Sequence, residues 1–234
     1  MGSLRVSIIV PTLNEQEHLP ATLTRVVLAP GDELIVVDGG STDDTVAIAR
    51  RFTPHVFVRP PGRAQQMNFG AQQAQGDVLL FLHADTLLPP AGADLVRHVM
   101  QQSTAVGGAF YLAIAPSTPA LRIVAWGVKW RTRLGKLPYG DQALFVRRTV
   151  FTALGGYEDV PFLEDVKLVL AMRKQGKLAI IPQPVYTSAR RWQREGVLYT
   201  TVRNIALVTL YFCGVSPTTL KRWYADWSRR TATD

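Results

Sequence analysis

The first half of the chain alternates short apolar runs with segments of helical spacing. Four apolar runs are continuous, which is typical of strands buried on both faces of a sheet: residues 6–10, 34–37, 55–58 and 78–82. Between them lie three segments of helical pattern, at 15–28, 42–52 and 64–75. Strand and helix in repeated alternation predict a parallel sheet with right-handed crossovers.

The second half has a more mixed pattern. Two further strands and two helices are predicted there, at 106–114, 143–146, 119–131 and 165–175. Gly176 is expected to end the last of these helices. Pro182 and Pro184 are expected to break the pattern that follows, because proline cannot donate a backbone hydrogen bond. The whole pattern predicts an α/β fold with a doubly wound, mostly parallel sheet, a mixed C-terminal half and a helical tail.

Polar residues stand where the strands are predicted to end. Ser41 and Thr42, followed by two aspartates, are typical of the start of a helix and are predicted to cap it. In a doubly wound sheet, ligands bind beyond the carboxyl ends of the strands. We therefore expect three segments to converge on one rim, at 11–15, 38–44 and 83–86.

The amino-acid composition excludes several classes of protein. Of the 234 residues, 47% are hydrophobic and 19% charged, which excludes a disordered chain or a coiled coil. The one cysteine, Cys213, excludes a disulfide framework and fits a reducing compartment. No signal-peptide pattern is present, and no apolar run reaches the ~20 residues of a membrane span. These features predict one cytoplasmic domain.

The charge is divided unevenly along the chain. Residues 1–119 carry 7 basic and 10 acidic side chains, whereas residues 120–234 carry 19 basic and 8 acidic ones. A basic half fits a solvated surface, an anionic substrate, a membrane surface or nucleic acid. Nucleic acid fits least, because zinc-finger spacing, basic heptads and aromatic-basic strand signatures are all missing from the sequence. We expect no nucleic-acid partner.

Carboxylates after strands are the main candidates for chemistry, since P-loop, GxGxxG, GxSxG and HExxH motifs are missing. Asp38 ends an apolar run, and Asp85 stands three residues after Leu82. One such aspartate alone is more often a turn residue. Two of them, with Arg63 after a Pro-Pro-Gly turn, favour a nucleotide diphosphate held with a divalent cation. Mg²⁺ or Mn²⁺ usually takes one or two carboxylates plus phosphate oxygens.

Five segments in order carry a family resemblance: VSIIVPTLNE, VVDGGSTDDT, His83-Ala84-Asp85, GDQALFVRRTVFTALGGY and FLEDVKL. Over about residues 5–192 they resemble the inverting family 2 glycosyltransferases of GT-A type. The segments GRAQQMNFGA, LPYGDQALF and TSARRW further resemble a bacterial branch labelled arsenosugar biosynthesis glycosyltransferase. The resemblance implies a GT-A type fold in a single catalytic domain, 1–234. Within it, residues 1–119 would form the nucleotide-sugar-binding half, residues 120–192 the acceptor and catalytic half, and residues 193–234 a basic helical tail.

The resemblance also implies roles for the matching residues. The nucleotide-diphosphate sugar donor would be bound by Pro11, Thr12, Asn14, Glu15, Asp38, Arg63, His83, Ala84 and Asp85. Among these, Asp38 would accept a hydrogen bond from the base, Arg63 would approach the diphosphate, and Asp85 would bind the metal. Asp165 would be the catalytic base, and Glu164 would orient the base or the acceptor. The acceptor or the diphosphate would contact Asp141, Gln142, Arg191 and Trp192.

Two positions depart from the family pattern. His83 stands where the family usually has the first Asp of Asp-x-Asp, so one negative charge near the cation is lost. An imidazole there can hydrogen-bond a ribose or bind Mn²⁺. Ser188 replaces the Gln of the Gln-x-x-Arg-Trp motif of processive synthases, so we expect a single transfer. The implied reaction is a direct displacement in which Asp165 takes the proton of an acceptor hydroxyl. By themselves, residues 164–165 would equally fit a helix cap.

Two alternative functions remain open on the sequence. A sugar-phosphate nucleotidyltransferase usually has a Gly-rich loop with Arg and Lys after its first strand, whereas residues 12–15 here are acidic and lack glycine. A non-catalytic protein that binds a membrane surface or a partner would account for the basic half. It would leave the three aspartates Asp38, Asp85 and Asp165 unexplained.

The tail offers two interpretations. Apolar residues of 196–215 fall at helical spacing, with Lys221, Arg222, Trp223 and Trp227 beyond them. One interpretation is a core helix followed by an amphipathic tail. The other is an interfacial surface that holds the enzyme peripherally on the inner face of the membrane, beside a lipid-linked acceptor.

Overall fold

A mixed sheet of eight strands forms the centre of the described part of the protein. The computed structural model describes residues 3–230, and 225–230 only as helical backbone. The strands are β1 (Val6–Thr12), β2 (Glu33–Asp38), β3 (Val56–Val58), β4 (Val78–Phe81), β5 (Thr86–Leu87), β6 (Gly107–Ala115), β7 (Phe145–Arg147) and β8 (Leu178–Ser188). Their order across the sheet is β3-β2-β1-β4-β7-β6-β8-β5.

Helices fill most of the connections between these strands, and three more follow β8. They are α1 (Leu19–Thr24), α2 (Thr45–Ala49), α3 (Arg63–Gln73), α4 (Gly92–Gln102), α5 (Pro119–Gly135), α6 (Arg148–Ala153), α7 (Glu164–Gln175), α8 (Arg190–Glu195), α9 (Val197–Phe212) and α10 (Pro217–Arg230). A short 3₁₀ turn, Gly140–Gln142, precedes β7. Within the described range, no helix combines the length and the apolar character needed to cross a bilayer.

The strand directions confirm the prediction of a parallel first half and a mixed second half. Strands β3, β2, β1 and β4 are parallel neighbours. Strand β7 runs antiparallel to β4 and β6, whereas β8 pairs in parallel with β6 and antiparallel with β5. The carboxyl ends of β1, β4 and β8 therefore lie at the same edge of the sheet.

The sheet is covered by helices on both faces. Successive side chains of a strand point to opposite faces, so the apolar run of β1 supplies two cores. Ile8 and Val10 belong to a cluster with residues of α1, α2, α4 and α5. Ile9 belongs to the other cluster, with residues of α3, α6 and α7. All three are fully buried, and this is the doubly wound arrangement that the sequence predicts.

The helices that follow β1 and β2 are shorter than predicted. Helix α1 begins at Leu19, and α2 covers only Thr45–Ala49. The predicted capping by Ser41 and Thr42 is wrong, because these residues bind the neighbouring turn. The Ser41 hydroxyl accepts from the Asn14 N–H at 2.8 Å, and the Thr42 N–H donates to Asn14 Oδ1 at 2.9 Å. The two turns thus hold each other at the rim.

The prediction that two prolines break the strand pattern before Arg190 is also wrong. Pro182 and Pro184 both lie within β8. The register against β6 shifts at this point, since Ile181 pairs with Phe110 while Pro184 pairs with Tyr111. A bulge leaves a backbone N–H without a ladder partner, so it tolerates proline. Strand β8 consequently continues to the rim.

Candidate active site

A cavity of about 500 Å³ opens at the carboxyl ends of β1, β4 and β8. Its wall is also formed by the first residues of α3 and α7 and by residues of α8, α9 and α10. It is lined by twelve of the residues that the sequence predicts for the site: Pro11, Thr12, Glu15, Arg63, His83, Ala84, Asp85, Asp141, Glu164, Asp165, Arg191 and Trp192. Residues from both halves of the chain therefore meet in one place.

Asp38 is predicted to contact the base, but it lies behind the wall of this cavity. Its side chain is fully buried. One carboxylate oxygen accepts from the N–H groups of Gly40 and Ser41 at 2.9 and 2.7 Å, and the other accepts from the hydroxyls of Thr12 and Ser41. Both oxygens are therefore bonded within the turn, and the contact of Asp38 with the base stays a prediction.

Asn14 and Gln142 are also outside the cavity lining. Asn14 adopts a left-handed backbone, with φ 52°, and its side chain binds the turn after β2. Gln142 is fully buried. Its amide nitrogen donates to the Phe110 carbonyl at 2.8 Å, and its amide oxygen accepts from the side chains of Arg131 and Thr132. Both residues support the loops that carry the lining residues.

Asp165 is held at the first turn of α7. Its Oδ2 accepts from the Gly140 N–H at 2.6 Å, and its Oδ1 accepts from the Val166 N–H at 2.8 Å. Leu163, just before the helix, has φ 62°, an unfavourable value for a residue with a side chain. A Cβ built on Gly140 would lie 3.2 Å from Asp165 Oδ2 and 3.0 Å from His83 Nε2. The absence of a side chain at Gly140 lets both of these side chains lie close to its backbone.

Arginines balance the carboxylates of the cavity. The Arg190 guanidinium binds both oxygens of Glu15 and lies 3.3 Å from Asp85 Oδ2. Arg63 Nη1 lies 3.6 Å from Glu164 Oε1. Arg190 belongs to α8, so this pair joins the C-terminal helices to the loop after β1. The resemblance did not assign Arg190, although it stands next to Arg191 in the TSARRW segment.

Among the lining residues with displaced pKa values, three bear on the chemistry of the site: Glu164, Asp141 and His83. Burial, with the negative charge of Asp165, raises the pKa of Glu164, against the effect of Arg63. Burial also raises the pKa of Asp141 from its ordinary 3.8 to about 6. For His83, burial and the positive charges of Arg63 and Arg191 lower the pKa well below its usual range. His83 is therefore neutral at pH 7 and keeps a lone pair for a ligand.

Two buried polar atoms in this wall have no hydrogen-bond partner. They are Asp141 Oδ1 and Trp192 Nε1. Buried polar groups are nearly always bonded, so such a pair in a cavity wall is where a ligand is expected. Asp141 Oδ1 can accept a hydrogen bond, and Trp192 Nε1 can donate one.

The family model described as Glycosyl transferase family 2 matches residues 7–149, more than half of the chain. The chain belongs to glycosyltransferase family 2. The matched region includes β1 to β4, the 3₁₀ turn and β7, whereas Glu164 and Asp165 lie beyond it.

Bacterial relatives of this family 2 chain carry related names. It is 35% identical over 183 residues to the PGL/p-HBAD biosynthesis glycosyltransferase of Mycobacterium bovis, covering 67% of this chain and 64% of that protein. It is 28% identical over 200 residues to the probable glycosyltransferase YdaM of Bacillus subtilis, covering 74% and 47%. The undecaprenyl-phosphate 4-deoxy-4-formamido-L-arabinose transferase of Yersinia pestis is 32% identical over 117 residues, covering 44% and 36%. The matches thus span less than two thirds of these relatives.

Solved structures confirm the GT-A type fold of this family 2 chain. S. aureus TarS 1–349 in complex with UDP-GlcNAc has a TM-score of 0.64 at 16% identity, covering 87% of this chain and 66% of that one. The glucosyl-3-phosphoglycerate synthase of Mycobacterium tuberculosis, in complex with Mg²⁺ and UDP, has a TM-score of 0.59 at 17% identity, covering 91% and 80%. At this identity the likeness concerns the fold alone.

The residues present fit a divalent cation that is bound together with a diphosphate. Among the side chains that the structure describes, those of residues 3–224, no group of three or more His, Cys, Asp and Glu could hold a metal ion. Asp85 faces the cavity, its side chain is 20% exposed, and the imidazole of the neighbouring His83 is neutral. One or two protein ligands suffice for Mg²⁺ or Mn²⁺ when phosphate oxygens supply others.

Gln66 is a site-shaping residue that the predicted site does not include. It is buried and lines the cavity, and its amide nitrogen donates to the carbonyls of Thr12 and Val37 at 2.9 and 2.8 Å. It therefore ties the ends of β1 and β2 to the start of α3. The GRAQQMNFGA segment contains it, but two adjacent glutamines gave no sign of which one is buried.

Proposed function

We propose that this family 2 chain is an inverting glycosyltransferase. It moves a sugar from a nucleotide-diphosphate sugar to an acceptor hydroxyl in a single displacement. The observation that carries the proposal is the carboxylate of Asp165, which two backbone N–H groups hold at the wall of a cavity shared with Arg63 and Asp85. The names of the relatives and the UDP-GlcNAc and UDP complexes of the structural neighbours support it.

The donor occupies the end of the cavity formed by Pro11, Thr12 and Glu15, and its diphosphate lies between Arg63 and Asp85. Arg63 contributes a positive charge where negative charge develops on the leaving group. Asp85, with His83 beside it, would hold Mg²⁺ or Mn²⁺ against the diphosphate oxygens. When bound, such a cation supplies further positive charge to the leaving group.

Asp165 acts as the general base. Its carboxylate is oriented by the N–H groups of Gly140 and Val166. It takes the proton of the acceptor hydroxyl as that oxygen attacks the anomeric carbon. Attack on the face opposite the leaving diphosphate inverts the configuration of the sugar. Glu164 lies beside Arg63 and orients Asp165 relative to the donor.

The acceptor occupies the end of the cavity between the 3₁₀ turn and α8. Asp141 Oδ1 and Trp192 Nε1 supply the acceptor and the donor that a hydroxyl group needs. Arg191 lines the same region and offers a positive charge to an anionic acceptor or to the diphosphate. The chain acts in the cytoplasm, and a peripheral contact with the inner face of the membrane brings it to a lipid-linked acceptor.

Thermal stabilisation by nucleotides tests the donor site. UDP or GDP with Mn²⁺ should raise the melting temperature of the wild-type protein, because a ligand stabilises the state that binds it. Asp85→Ala should lose most of this rise in Mn²⁺ and should match the wild type in EDTA, whereas the exposed Asp44→Ala should behave as the wild type throughout. Equal weakening of Asp85→Ala with and without Mn²⁺ would contradict the metal role. A protein that no nucleotide stabilises would contradict the proposed function.

A further inference from the structure

Helix α5 carries an apolar stripe that faces away from the core. Ile123, Trp126, Trp130 and Leu134 are 69%, 63%, 40% and 74% exposed. They follow one another at spacings of three or four residues, which places them on one side of the helix. The opposite side packs inward through Leu121, Val128 and Thr132. Burial in the core therefore does not account for these four large apolar side chains.

Positive charge accompanies this stripe. Residues 119–136 contain five basic side chains and no acidic one. Four of the five are exposed: Arg122, Lys129, Arg133 and Lys136. The Trp126 and Trp130 rings lie edge to face, with centroids 6.0 Å apart, and the Arg133 guanidinium lies 5.7 Å from the centre of the Trp130 ring. Indole rings and basic groups thus share one surface.

Helix α9, which contacts α5, has a second stripe of the same kind. Its outward residues are each more than half exposed: Leu198, Val202, Ile205 and Phe212. Its inward side contains the buried Thr200 and Leu207, and Asn204 and Val208 line the cavity. Residues 197–224 contain no Asp or Glu. The same helix thus lies between the acceptor end of the cavity and an apolar surface.

We propose that the outward stripes of α5 and α9 form a docking surface for a bilayer that contains anionic lipid. Tryptophans, aliphatic side chains and exposed lysines and arginines on one face are the composition of helices that lie in a membrane interface. A second copy of the chain fits less well, because a two-fold contact through α5 would bring the same basic groups together without acidic partners. This surface shares α9 with the interfacial surface predicted from the sequence, and it adds α5 in place of Lys221, Arg222 and Trp223. The Trp227 side chain lies outside the described residues.

Vesicle sedimentation tests the proposal without any donor sugar, so its outcome is independent of the proposed reaction. The full chain should sediment with vesicles of phosphatidylglycerol and phosphatidylcholine, hardly at all with phosphatidylcholine alone, and less in high salt. Lys129→Glu with Arg133→Glu should weaken binding at least about tenfold, since each basic group near the surface contributes about 1 kcal/mol. Trp126→Ser with Trp130→Ser should weaken it comparably. Melting curves verify that these exposed substitutions leave the fold intact.

Arg50→Glu with Arg51→Glu is the matched control, because it reverses two exposed charges in the turn that follows α2, in the acidic half. It should change binding by less than about twofold. Equal effects of the two charge reversals, or equal binding to neutral and anionic vesicles, would overturn the proposal. Sedimentation velocity tests the remaining alternative, which is a dimer formed through this surface. A concentration-dependent dimer that Trp126→Ser with Trp130→Ser abolishes would assign the surface to a second copy instead.

Discussion

At the scale of single residues, the carboxylate of Asp165 has the clearest assignment. It is oriented by two N–H groups, and Asp165→Asn keeps its shape while removing the base. We expect kcat to fall by about 10² to 10⁴, with donor affinity nearly unchanged, because the base acts only as the acceptor attacks. Steady-state kinetics and nucleotide titration measure the two effects. Asp94→Asn, another first-turn acid on α4, is the control. A variant that keeps more than about a tenth of the wild-type kcat would exclude Asp165 as the base.

Asp141 should give the protein a stability that depends on pH. Its pKa rises from 3.8 in its ordinary state to about 6 in the fold, so the folded state binds more protons than the unfolded chain between these values. The free energy of unfolding therefore falls as pH rises from 4 to 6, by at most about 3 kcal/mol. Asp141→Asn should lack this loss and should be more stable than the wild type at pH 7, while its KM for the acceptor rises.

Urea unfolding between pH 4 and 8 measures the difference between the two proteins. The exposed Asp44→Asn should show the same pH dependence as the wild type. If Asp141→Asn also followed the wild type across this range, the Asp141 carboxyl would be solvated and its proposed contact with the acceptor would lose support.

Single residues also show which parts of the site could be predicted from the sequence. Asp85 and Asp165 could be placed at one rim from strand ends and motif order alone. Asp38 and Gln142 belong to the same motifs, yet they are not among the lining residues, because Asp38 bonds within its turn and Gln142 bonds to α5 and β6. Whether a polar side chain faces inward or outward depends on partners far along the chain, as in the 2.8 Å bond from Gln142 to Phe110. The pairing of Arg190 with Glu15 is also hidden for this reason.

At the scale of elements, two glycines give opposite predictions for the same substitution. In β6, a Cβ on Gly108 would lie 1.9 Å from the Ala179 carbonyl oxygen of β8, so Gly108→Ala forces two backbones apart. In α5, a Cβ on Gly127 would meet no atom within 4 Å. We expect Gly108→Ala to lower the free energy of unfolding by about 3 kcal/mol and Gly127→Ala to raise it by about 0.5 to 1 kcal/mol. Urea unfolding of the pair measures both, and an unaffected Gly108→Ala would contradict the close approach of β6 and β8.

The elements themselves were predictable where hydrophobic burial decides them. The apolar runs of β1, β2 and β4 are strands because both of their faces are covered. Helices α1 and α2 are shorter than their patterns indicate, because the turns before them bind each other through Asn14 and Ser41. The path of β8 through Pro182 and Pro184 depends on a bulge against β6, which local pattern does not reveal.

At the scale of the whole molecule, the uneven charge of the chain has a partial structural account. Acidic side chains of the first half and arginines of the second meet across the cavity, as Arg190 does with Glu15 and Asp85. Among the other basic residues of the second half, Arg122, Lys129, Arg133 and Lys136 are exposed on α5 or at its end, the helix that carries the first apolar stripe. The ion pairs of Arg190 join the two halves of the chain at the site. The exposed basic residues of α5 are available for an anionic partner.

The central claim is that the cavity performs sugar transfer from a nucleotide-diphosphate donor with inversion. Its most direct test is product analysis after incubation with a panel of UDP- and GDP-sugars, Mn²⁺ and candidate hydroxyl acceptors. Nucleoside diphosphate is measured by chromatography and the anomeric configuration by NMR. We predict that nucleoside diphosphate is released, that the transferred sugar is inverted, and that Asp165→Asn forms neither product at an appreciable rate. Retention of configuration, or formation of sugar 1-phosphate in place of nucleoside diphosphate, would contradict the account.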